Sequence, residues 1–117
     1  MRKIFLAIAI CVIAINLSYA QDTITSSQAK EFAGEFKFVK GTAAEVSTTK
    51  SGITYINFDN KYPDNIFSAV IFKDFKDVFD LAAISKCKNI VVYGKIEIYK
   101  DKPQIVLKEA SQIVFCE

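Results

Sequence analysis

The sequence contains no histidine and no tryptophan, and only four glycines and two prolines among 117 residues. Without histidine, a Ser-His-Asp triad, a zinc site with imidazole ligands and the usual general base at neutral pH are all excluded. Four scattered glycines also exclude a glycine-rich phosphate loop. We therefore expect a protein that is not an enzyme and that carries no cofactor.

Two groups of oxygen-bearing side chains resemble metal ligands but do not have the required spacing. The loop at 59–65, DNKYPDN, lacks the pattern of a calcium loop with its terminal bidentate glutamate. Asp74, Asp77 and Asp80 fall three apart on a predicted helix, where carboxylates in the first turn offset the helix dipole. The sequence predicts no metal site.

The first twenty residues have the pattern of a secretory signal peptide. Arg2 and Lys3 precede an apolar run over 4–17, and the residues at 18–20 are of the kind read by a signal peptidase. We expect cleavage before Gln21 and export to the bacterial periplasm or the medium. The apolar run is shorter than the roughly 18 residues that span a bilayer, so no membrane span is expected after cleavage.

Cleavage would change the charge of the chain. The sequence has 15 basic and 13 acidic residues, and Arg2 and Lys3 leave with the signal peptide. The mature chain, 21–117, then has 13 lysines and 13 acidic residues, zero formal net charge and no arginine. Arginine is the residue best shaped for phosphate, and non-specific nucleic-acid binding needs a basic surface. The remaining length fits one domain.

Two cysteines, Cys87 and Cys116, remain after the predicted cleavage. Two thiols in a small exported domain favour a disulfide, because the compartment is oxidising. Two separate buried thiols are the alternative, and the sequence leaves both open. A catalytic thiol is not expected, because there is no histidine to act as its base.

The region 89–113 predicts two strands joined by a tight turn. From Ile90 onward apolar or small residues alternate with polar and aromatic ones as far as Tyr99, which is the period of a strand with one buried face. The residues at 100–102 form a polar turn, and Pro103 suits the start of the next strand. Gly94 within the first of these strands predicts a bulge or a sharp bend.

The upstream sequence predicts three further strands and two helices. The strands cover about 36–48 with a bend at Gly41, 53–58, and 67–73, which is apolar on both faces. One helix over 74–85, capped by Asp74 or Asp77, would lie between the third and fourth strands. A short N-terminal helix would be capped by Ser26 or Ser27 and would end near Gly34.

Several of these residues carry a resemblance to a known fold. The pattern V-x-G-x-I-x-x-Y-K-x-x-P-Q-I, followed by a Q-I pair, resembles the last two strands of small bacterial OB-fold (oligonucleotide/oligosaccharide-binding fold) modules, and the upstream strands and loop fit the same pattern. The matching downstream residues are Val92, Gly94, Ile96, Tyr99, Lys100, Lys102, Pro103, Gln104, Ile105, Gln112 and Ile113. The resemblance covers about 24–113. It implies an all-β, five-stranded Greek-key barrel with one helix between strands three and four and a short N-terminal helix.

The resemblance also implies a binding face. OB folds that bind single strands use aromatic side chains as stacking platforms and lysines along the backbone, on strands two and three and the flanking loops. The candidate residues are Tyr55, Asn57, Lys61, Tyr62 and Lys73, with a second group of Tyr93, Lys95, Tyr99 and Lys100 on the fourth predicted strand. Each tyrosine is better explained as an ordinary half-exposed strand residue, because β propensity alone accounts for its presence.

Two hypotheses follow. The first is an exported module that weakly binds single-stranded DNA or RNA through this face. The second is an exported interaction module for an envelope protein, a peptide or a small ligand, without any nucleic-acid role. The convergence of Lys61, Lys73, Lys95 and Lys100 on one groove, clear of acidic residues, would favour the first hypothesis, and scattered charges would favour the second.

Overall fold

The computed structural model describes residues 23–117, so the predicted signal peptide and its cleavage site lie outside the described residues. This part is mostly strand, as predicted. The strands are β1 (Thr23–Thr25), β2 (Phe36–Thr48), β3 (Thr54–Phe58), β4 (Phe67–Ile71), β5 (Asn89–Lys95), β6 (Glu97–Tyr99), β7 (Lys102–Val106) and β8 (Ile113–Cys116). One α-helical turn, α1 (Leu81–Ile84), and 3₁₀ helices at Ser26–Phe32, Lys73–Val78 and Ala110–Gln112 complete the chain.

The hydrogen-bonded strand order is β6-β7-β4-β3-β2-β5-β8, and β1 pairs with β2 off this path. β4 pairs with β7 in parallel, and β1 with β2 in parallel, whereas the other pairs are antiparallel. The ladder itself is therefore open. β6, at one end of this order, is nevertheless close in the chain to β5, next to the other end, because a single residue, Ile96, separates them.

The structure has eight strands where five were expected. The predicted fourth strand is divided at Ile96, whose backbone N–H donates to Glu35 O at 2.9 Å and whose carbonyl accepts from Gly34 N at 2.7 Å. These bonds to the Gly34–Glu35 turn replace ladder bonds and split the strand into β5 and β6. β1 and β8 are short additions beside β2 and β5.

β2 changes partners beside Gly41, where a bend was predicted. Its first half pairs with β5 as far as Thr42, and its second half pairs with β3 from Ala43 onward. A Cβ placed on Gly41 would lie 2.9 Å from Phe58 Cδ2. Only glycine therefore lets β3 pass this close to the point where β2 turns from one set of partners to the other.

The predicted helix over 74–85 is not continuous. It consists of the 3₁₀ helix Lys73–Val78 and α1, because Phe79 turns into the core in extended conformation. Asp80 then starts α1 afresh, its Oδ1 accepting from Ala83 N at 3.1 Å. Asp80 is therefore the cap, and the prediction of Asp74 or Asp77 was wrong.

The N-terminal helix is a 3₁₀ helix that begins one residue earlier than predicted. Its cap is Thr25, whose backbone N–H donates to Gln28 Oε1 at 3.0 Å. Ser26, one of the two predicted caps, is buried instead and donates its hydroxyl proton to Asp59 Oδ2. The serine thus joins the helix to the end of β3.

A single apolar core lies inside the sheet. β3, β4, β5 and β7 each contribute their inward faces, and the N-terminal 3₁₀ helix and α1 cover the ends. The buried members are Ile24, Ala29, Val39, Ile56, Phe58, Phe67, Ala69, Ile71, Phe79, Ile84, Ile90, Val92, Ile96, Ile105 and Leu107. Burial of this apolar surface is the main favourable contribution to folding.

Gly94 does not mark a bulge, because β5 pairs with β2 in unbroken register through this residue. Its absent side chain matters for a different reason. A Cβ on Gly94 would lie 2.5 Å from Ile105 Cγ2 of β7 and 3.1 Å from Gln112 Nε2. The glycine therefore allows β7 to pack directly on the backbone of β5.

Cys87 and Cys116 form a disulfide in the structure, with their Cα atoms 5.4 Å apart and a separation of 29 positions in sequence. Cys87 lies just before β5 and Cys116 ends β8. Of the two alternatives left open by the sequence, the structure has the bonded pair. The bond fastens β8 to the beginning of its partner strand.

Reduction of this disulfide should lower stability substantially. A disulfide that closes a loop of this length lowers the conformational entropy of the unfolded chain, which raises the free energy of unfolding by about 3 to 4 kcal/mol in the chain-entropy account. We expect the urea midpoint to fall when a reductant is added, and a Cys87→Ser/Cys116→Ser variant to be insensitive to the reductant. An unchanged midpoint in the unsubstituted chain would contradict the expectation.

Gly94→Ala should also destabilise the fold, because its new methyl group would overlap Ile105. Overpacking of this kind costs about 1 to 3 kcal/mol. Thermal and urea unfolding would measure the loss. Gly34→Ala is a useful comparison, since Gly34 has open space around it and only its backbone conformation, φ +89°, opposes a side chain. Equal stability of Gly94→Ala and the unsubstituted chain would refute the packing argument.

Candidate ligand-binding groove

A row of polar residues crosses the outer face of the sheet. Glu45 of β2 is opposite Asn57 of β3, Asn57 is opposite Ser68 of β4, and Ser68 is opposite Gln104 of β7. Residues at matched register positions on neighbouring strands share a face. These four side chains therefore form one continuous polar strip, which we call the polar row.

Hydrogen bonds join three members of the polar row. Asn57 Nδ2 donates to Glu45 Oε1 at 2.8 Å, and Ser68 Oγ donates to Asn57 Oδ1 at 2.8 Å. Asn65, from the loop before β4, donates its Nδ2 to Ser68 Oγ at 2.8 Å and to Asn57 Oδ1 at 3.2 Å. Asn57 and Asn65 are only 3% and 4% exposed, so the floor of the site is fixed.

One atom of this network is not satisfied. Asn65 Oδ1 is buried and has no hydrogen-bond partner among the described residues. A buried acceptor without a partner costs free energy, by about 1 to 3 kcal/mol. Such an exception in a native fold draws attention to the surrounding site.

Tyr62 forms one wall of the site. The residue is 75% exposed, and a cis peptide bond joins it to Pro63. Its backbone N–H donates to Glu45 Oε1 at 3.1 Å, which places the tyrosine directly beside the carboxylate. Lys102 closes the corner, with Nζ 2.6 Å from Pro63 O and 5.7 Å from the centre of the Tyr62 ring.

The opposite wall is the hairpin between β6 and β7. Lys100 and Asp101 have φ of 48° and 67°, the two left-handed positions of a type I′ turn. The Lys100 ammonium lies 5.4 Å from the centre of the Tyr99 ring, and that ring is 52% exposed. The hairpin therefore presents an aromatic ring and a cation together.

The polar row and these walls enclose a groove of about 570 Å³, a volume suited to a small ligand or a part of a larger one. We call it the outer groove. It is lined by Glu45, Ser47, Thr49, Tyr55, Asn57, Tyr62, Pro63, Asn65, Ser68, Tyr99, Lys100, Lys102, Pro103 and Gln104. Three tyrosines, two lysines and one carboxylate are thus combined with neutral amides and hydroxyls.

Five of the nine candidate residues line the outer groove. They are Tyr55, Asn57, Tyr62, Tyr99 and Lys100. Lys61 does not line it but is near enough for its charge to act on Glu45. The group predicted on strands two and three and the group predicted on strand four therefore share one site in part. This is because β7 pairs with β4, so the β6–β7 hairpin lies beside the face of β3 and β4.

Three of the candidates lie elsewhere. Tyr93 packs on Phe38 of β2, with ring centres 4.5 Å apart, and Lys95 is opposite Phe36 in the same ladder. Lys73 packs its aliphatic stem against Gly52 in the turn between β2 and β3. Lys61, Lys73, Lys95 and Lys100 therefore do not converge on one groove, which is the outcome that favours the interaction module.

The sequence interpretation missed nine residues that line the outer groove. They are Glu45, Ser47, Thr49, Pro63, Asn65, Ser68, Lys102, Pro103 and Gln104. Glu45 was not foreseen because the β2–β3 register shifts between Ala43 and Glu45, which resets the alternation of faces. Lys102 was assigned to the turn, but it is the first residue of β7.

The pKa of the Glu45 carboxyl lies below its ordinary value of 4.5. The Tyr62 backbone N–H is the main cause, followed by the Asn57 side-chain amide and the charge of Lys61, whereas partial desolvation acts in the opposite direction. Hydrogen bonds to a carboxylate stabilise its charged form. Glu45 is therefore an anion at neutral pH.

No cluster of three or more acidic, cysteine or histidine side chains that could hold a metal ion is found among residues 23–117. The groove's own chemistry is that of hydrogen bonding, stacking and two positive charges.

Comparison with known proteins identifies a fold and no family. No protein-family model and no curated protein matches the sequence. A solved structure of OBody AM1L10 bound to hen egg-white lysozyme has a TM-score of 0.55 at 16% identity, over 75% of this chain and 88% of that one.

Two synthetases are also similar. A putative aspartyl-tRNA synthetase from Leishmania major Friedlin has a TM-score of 0.51 at 9% identity, over 74% of this chain. The asparaginyl-tRNA synthetase of Entamoeba histolytica has a TM-score of 0.51 at 15% identity, also over 74%. The chain spans 19% and 22% of these two proteins. These similarities support the OB fold, and at such low identity they show the fold alone.

The contribution of Glu45 to stability should depend on pH. Its pKa is lower in the folded chain than in the unfolded chain, so the stabilisation is complete above about pH 5 and is lost as the pH falls through the folded pKa. We expect Glu45→Gln to lower the unfolding free energy more at pH 7 than at pH 3, as measured by urea titration. Equal losses at both pH values would contradict this assignment.

Proposed function

We propose that this chain is an exported OB-fold binding module whose outer groove takes a short stretch of single-stranded nucleic acid. The observation that carries the proposal is the convergence of Tyr55, Tyr62, Tyr99, Lys100 and Lys102 on one groove. Exposed tyrosine rings provide stacking surfaces for bases, and each stacked base can contribute about 1 to 3 kcal/mol. The neighbouring lysines supply the charge that phosphates require.

The binding stretch is short. Only two lysines line the outer groove, and Lys73 and Lys95 lie outside it. Glu45 stands at one wall as a fixed negative charge. One or two phosphates can therefore be neutralised, and for two phosphates on a single strand log K should fall by about 1.4 per tenfold rise in salt. Affinity is accordingly weak, and stacking supplies most of it.

Export is part of the proposal. The signal-peptide pattern at 1–20 supports it, and the bond between Cys87 and Cys116 is of the kind that persists in oxidising compartments. In the described part of the chain, no helix is long and apolar enough to cross a membrane.

An interaction module for an envelope protein or peptide is the second candidate. The zero net charge of the predicted mature chain favours it, as does the edge strand β8, where Val114 and Phe115 are exposed. Edge strands recruit extended peptides by adding them to the sheet. The structural similarity to an OBody bound to lysozyme also supports it, because there a protein of similar fold binds another protein.

Fluorescence anisotropy with labelled single-stranded DNA and RNA, across a salt series, tests the first proposal. We expect micromolar binding to residues 21–117, weakened about tenfold by Tyr62→Ala, since loss of one stacked ring costs 1 to 3 kcal/mol. Lys100→Ala should reduce the salt slope by about 0.7. Tyr62 is chosen because its exposed ring can be removed without disturbing the core.

Matched variants outside the outer groove control the experiment. Tyr93→Ala and Lys95→Ala remove the same side-chain types from the other face, and they should leave affinity and salt slope unchanged in protein that remains folded. Absence of binding even at low salt would reject the nucleic-acid proposal and leave the interaction module. Equal losses in Tyr93→Ala and Tyr62→Ala would show that the groove is not the binding surface.

A further inference from the structure

Glu45 is the one carboxylate among the residues that line the outer groove. Both of its hydrogen bonds, from Asn57 Nδ2 and from the Tyr62 backbone, end on the same oxygen, Oε1. Within residues 23–117, the other oxygen, Oε2, has no hydrogen-bond partner. The carboxylate is thus held in place through one oxygen while the other is left for a ligand.

The position of this oxygen relates it to the stacking surface. Tyr62 supplies the N–H that holds Glu45, and its exposed side chain lines the same groove, so the stacking surface and the carboxylate are neighbours. We expect a base that stacks on the Tyr62 ring to bring its edge near Glu45. A phosphate in that place would be repelled by the negative charge.

An ionised carboxylate only accepts hydrogen bonds, so it distinguishes base edges by their donors. Cytosine and adenine carry exocyclic amino groups, whereas uracil and thymine carry a carbonyl oxygen at the corresponding position. The single ring N–H of uracil lies between two carbonyl oxygens, and a carboxylate that approaches it meets both. The charge that opposes phosphate would therefore favour some bases over others.

We propose that Glu45 makes the outer groove selective for bases that carry an amino group, so that cytosine binds more tightly than uracil. The inference rests on the proposed nucleic-acid function and deepens it. Asn57 is a positioning residue in this arrangement, because it touches the carboxylate and not the base. Its own burial at 3% exposure and its bonds to Ser68 and Asn65 keep the carboxylate in one orientation.

Cytosine and uracil form the sharpest pair of probes, since they have equal size and charge and differ in the edge that Glu45 would read. Labelled hexamers of cytidine and of uridine would be titrated at pH 7.5 and equal salt. A hydrogen bond to a charged group is stronger than one between neutral groups, so the cytidine hexamer should bind about tenfold tighter or more.

Glu45→Gln provides the decisive variant. The glutamine oxygen can still accept from Asn57 and from the Tyr62 backbone, so the floor of the groove is preserved. Its amide group can also donate to the uracil oxygen, and the ratio of the two affinities should fall to about one. Asp77→Asn removes the same charge from an exposed residue outside the groove and should keep the original ratio.

Each result has a distinct meaning. If neither hexamer binds, the proposed nucleic-acid function itself fails. If both bind equally well to the unsubstituted chain, nucleic-acid binding stands and selectivity by Glu45 is overturned. A preference for cytidine that survives Glu45→Gln would likewise overturn it, because the carboxylate would then not be the group that reads the base.

Discussion

The fold depends on one strand that serves two sets of partners. β2 is hydrogen bonded to β5 up to Thr42 and to β3 from Ala43 onward. Asp59 secures the changeover: its backbone N–H donates to Thr42 O at 2.7 Å, and its Oδ1 accepts from Thr42 N at 2.9 Å. Its other oxygen, Oδ2, accepts a hydrogen bond from the Ser26 hydroxyl, which connects the N-terminal 3₁₀ helix to the same point. The groove follows from this junction, because the register shift just beyond it turns Glu45 outward toward Asn57.

Asp59 stabilises the fold, although in the sequence it resembles a ligand-binding carboxylate. In the sequence it belongs to a loop rich in oxygen ligands, and its charge counts against a nucleic-acid surface. In the structure both carboxylate oxygens are occupied by Thr42 and Ser26, and its φ of 68° places it in the left-handed region that aspartate tolerates better than most residues. Both carboxylate oxygens of Asp59 therefore accept hydrogen bonds within the fold, whereas Glu45 accepts them on one oxygen.

Local pattern was enough to predict the long strands. The alternation in 36–48, 53–58 and 103–107 corresponds to β2, β3 and β7, and the double-sided apolar run gave β4. Local pattern was not enough where a segment distant in sequence changes the structure of a strand. Ile96 leaves the ladder because its backbone is hydrogen bonded to Gly34 and Glu35. The periodicity of 89–99 does not predict this interruption. The helix over 74–85 divides because Phe79 is needed in the core.

The candidate site was predicted in part for the same reason. Strand alternation places Tyr55 and Asn57 outward, and the turn signal places Tyr99 and Lys100 at a hairpin. Alternation cannot say which strands meet across the sheet. From alternation alone, Tyr93 and Lys95 were grouped with Tyr99 on one predicted strand. The interruption at Ile96 divides that strand into β5 and β6, which lie on different faces. Glu45 and Gln104 are members of the site only through the parallel pairing of β4 with β7 and the shifted pairing of β2 with β3.

The disulfide has a consequence for solubility that differs from its effect on folding free energy. β8 is only four residues long, and it covers the outer edge of β5, whose sequence NIVVYGK is apolar and rich in β-forming residues. An uncovered edge of that kind is a template on which other chains can add strands. Because Cys116 is bonded to Cys87 at the start of β5, β8 cannot separate far from the edge that it covers. The disulfide therefore keeps the outer edge of β5 covered, and this edge stays closed to other chains only where the thiols stay oxidised.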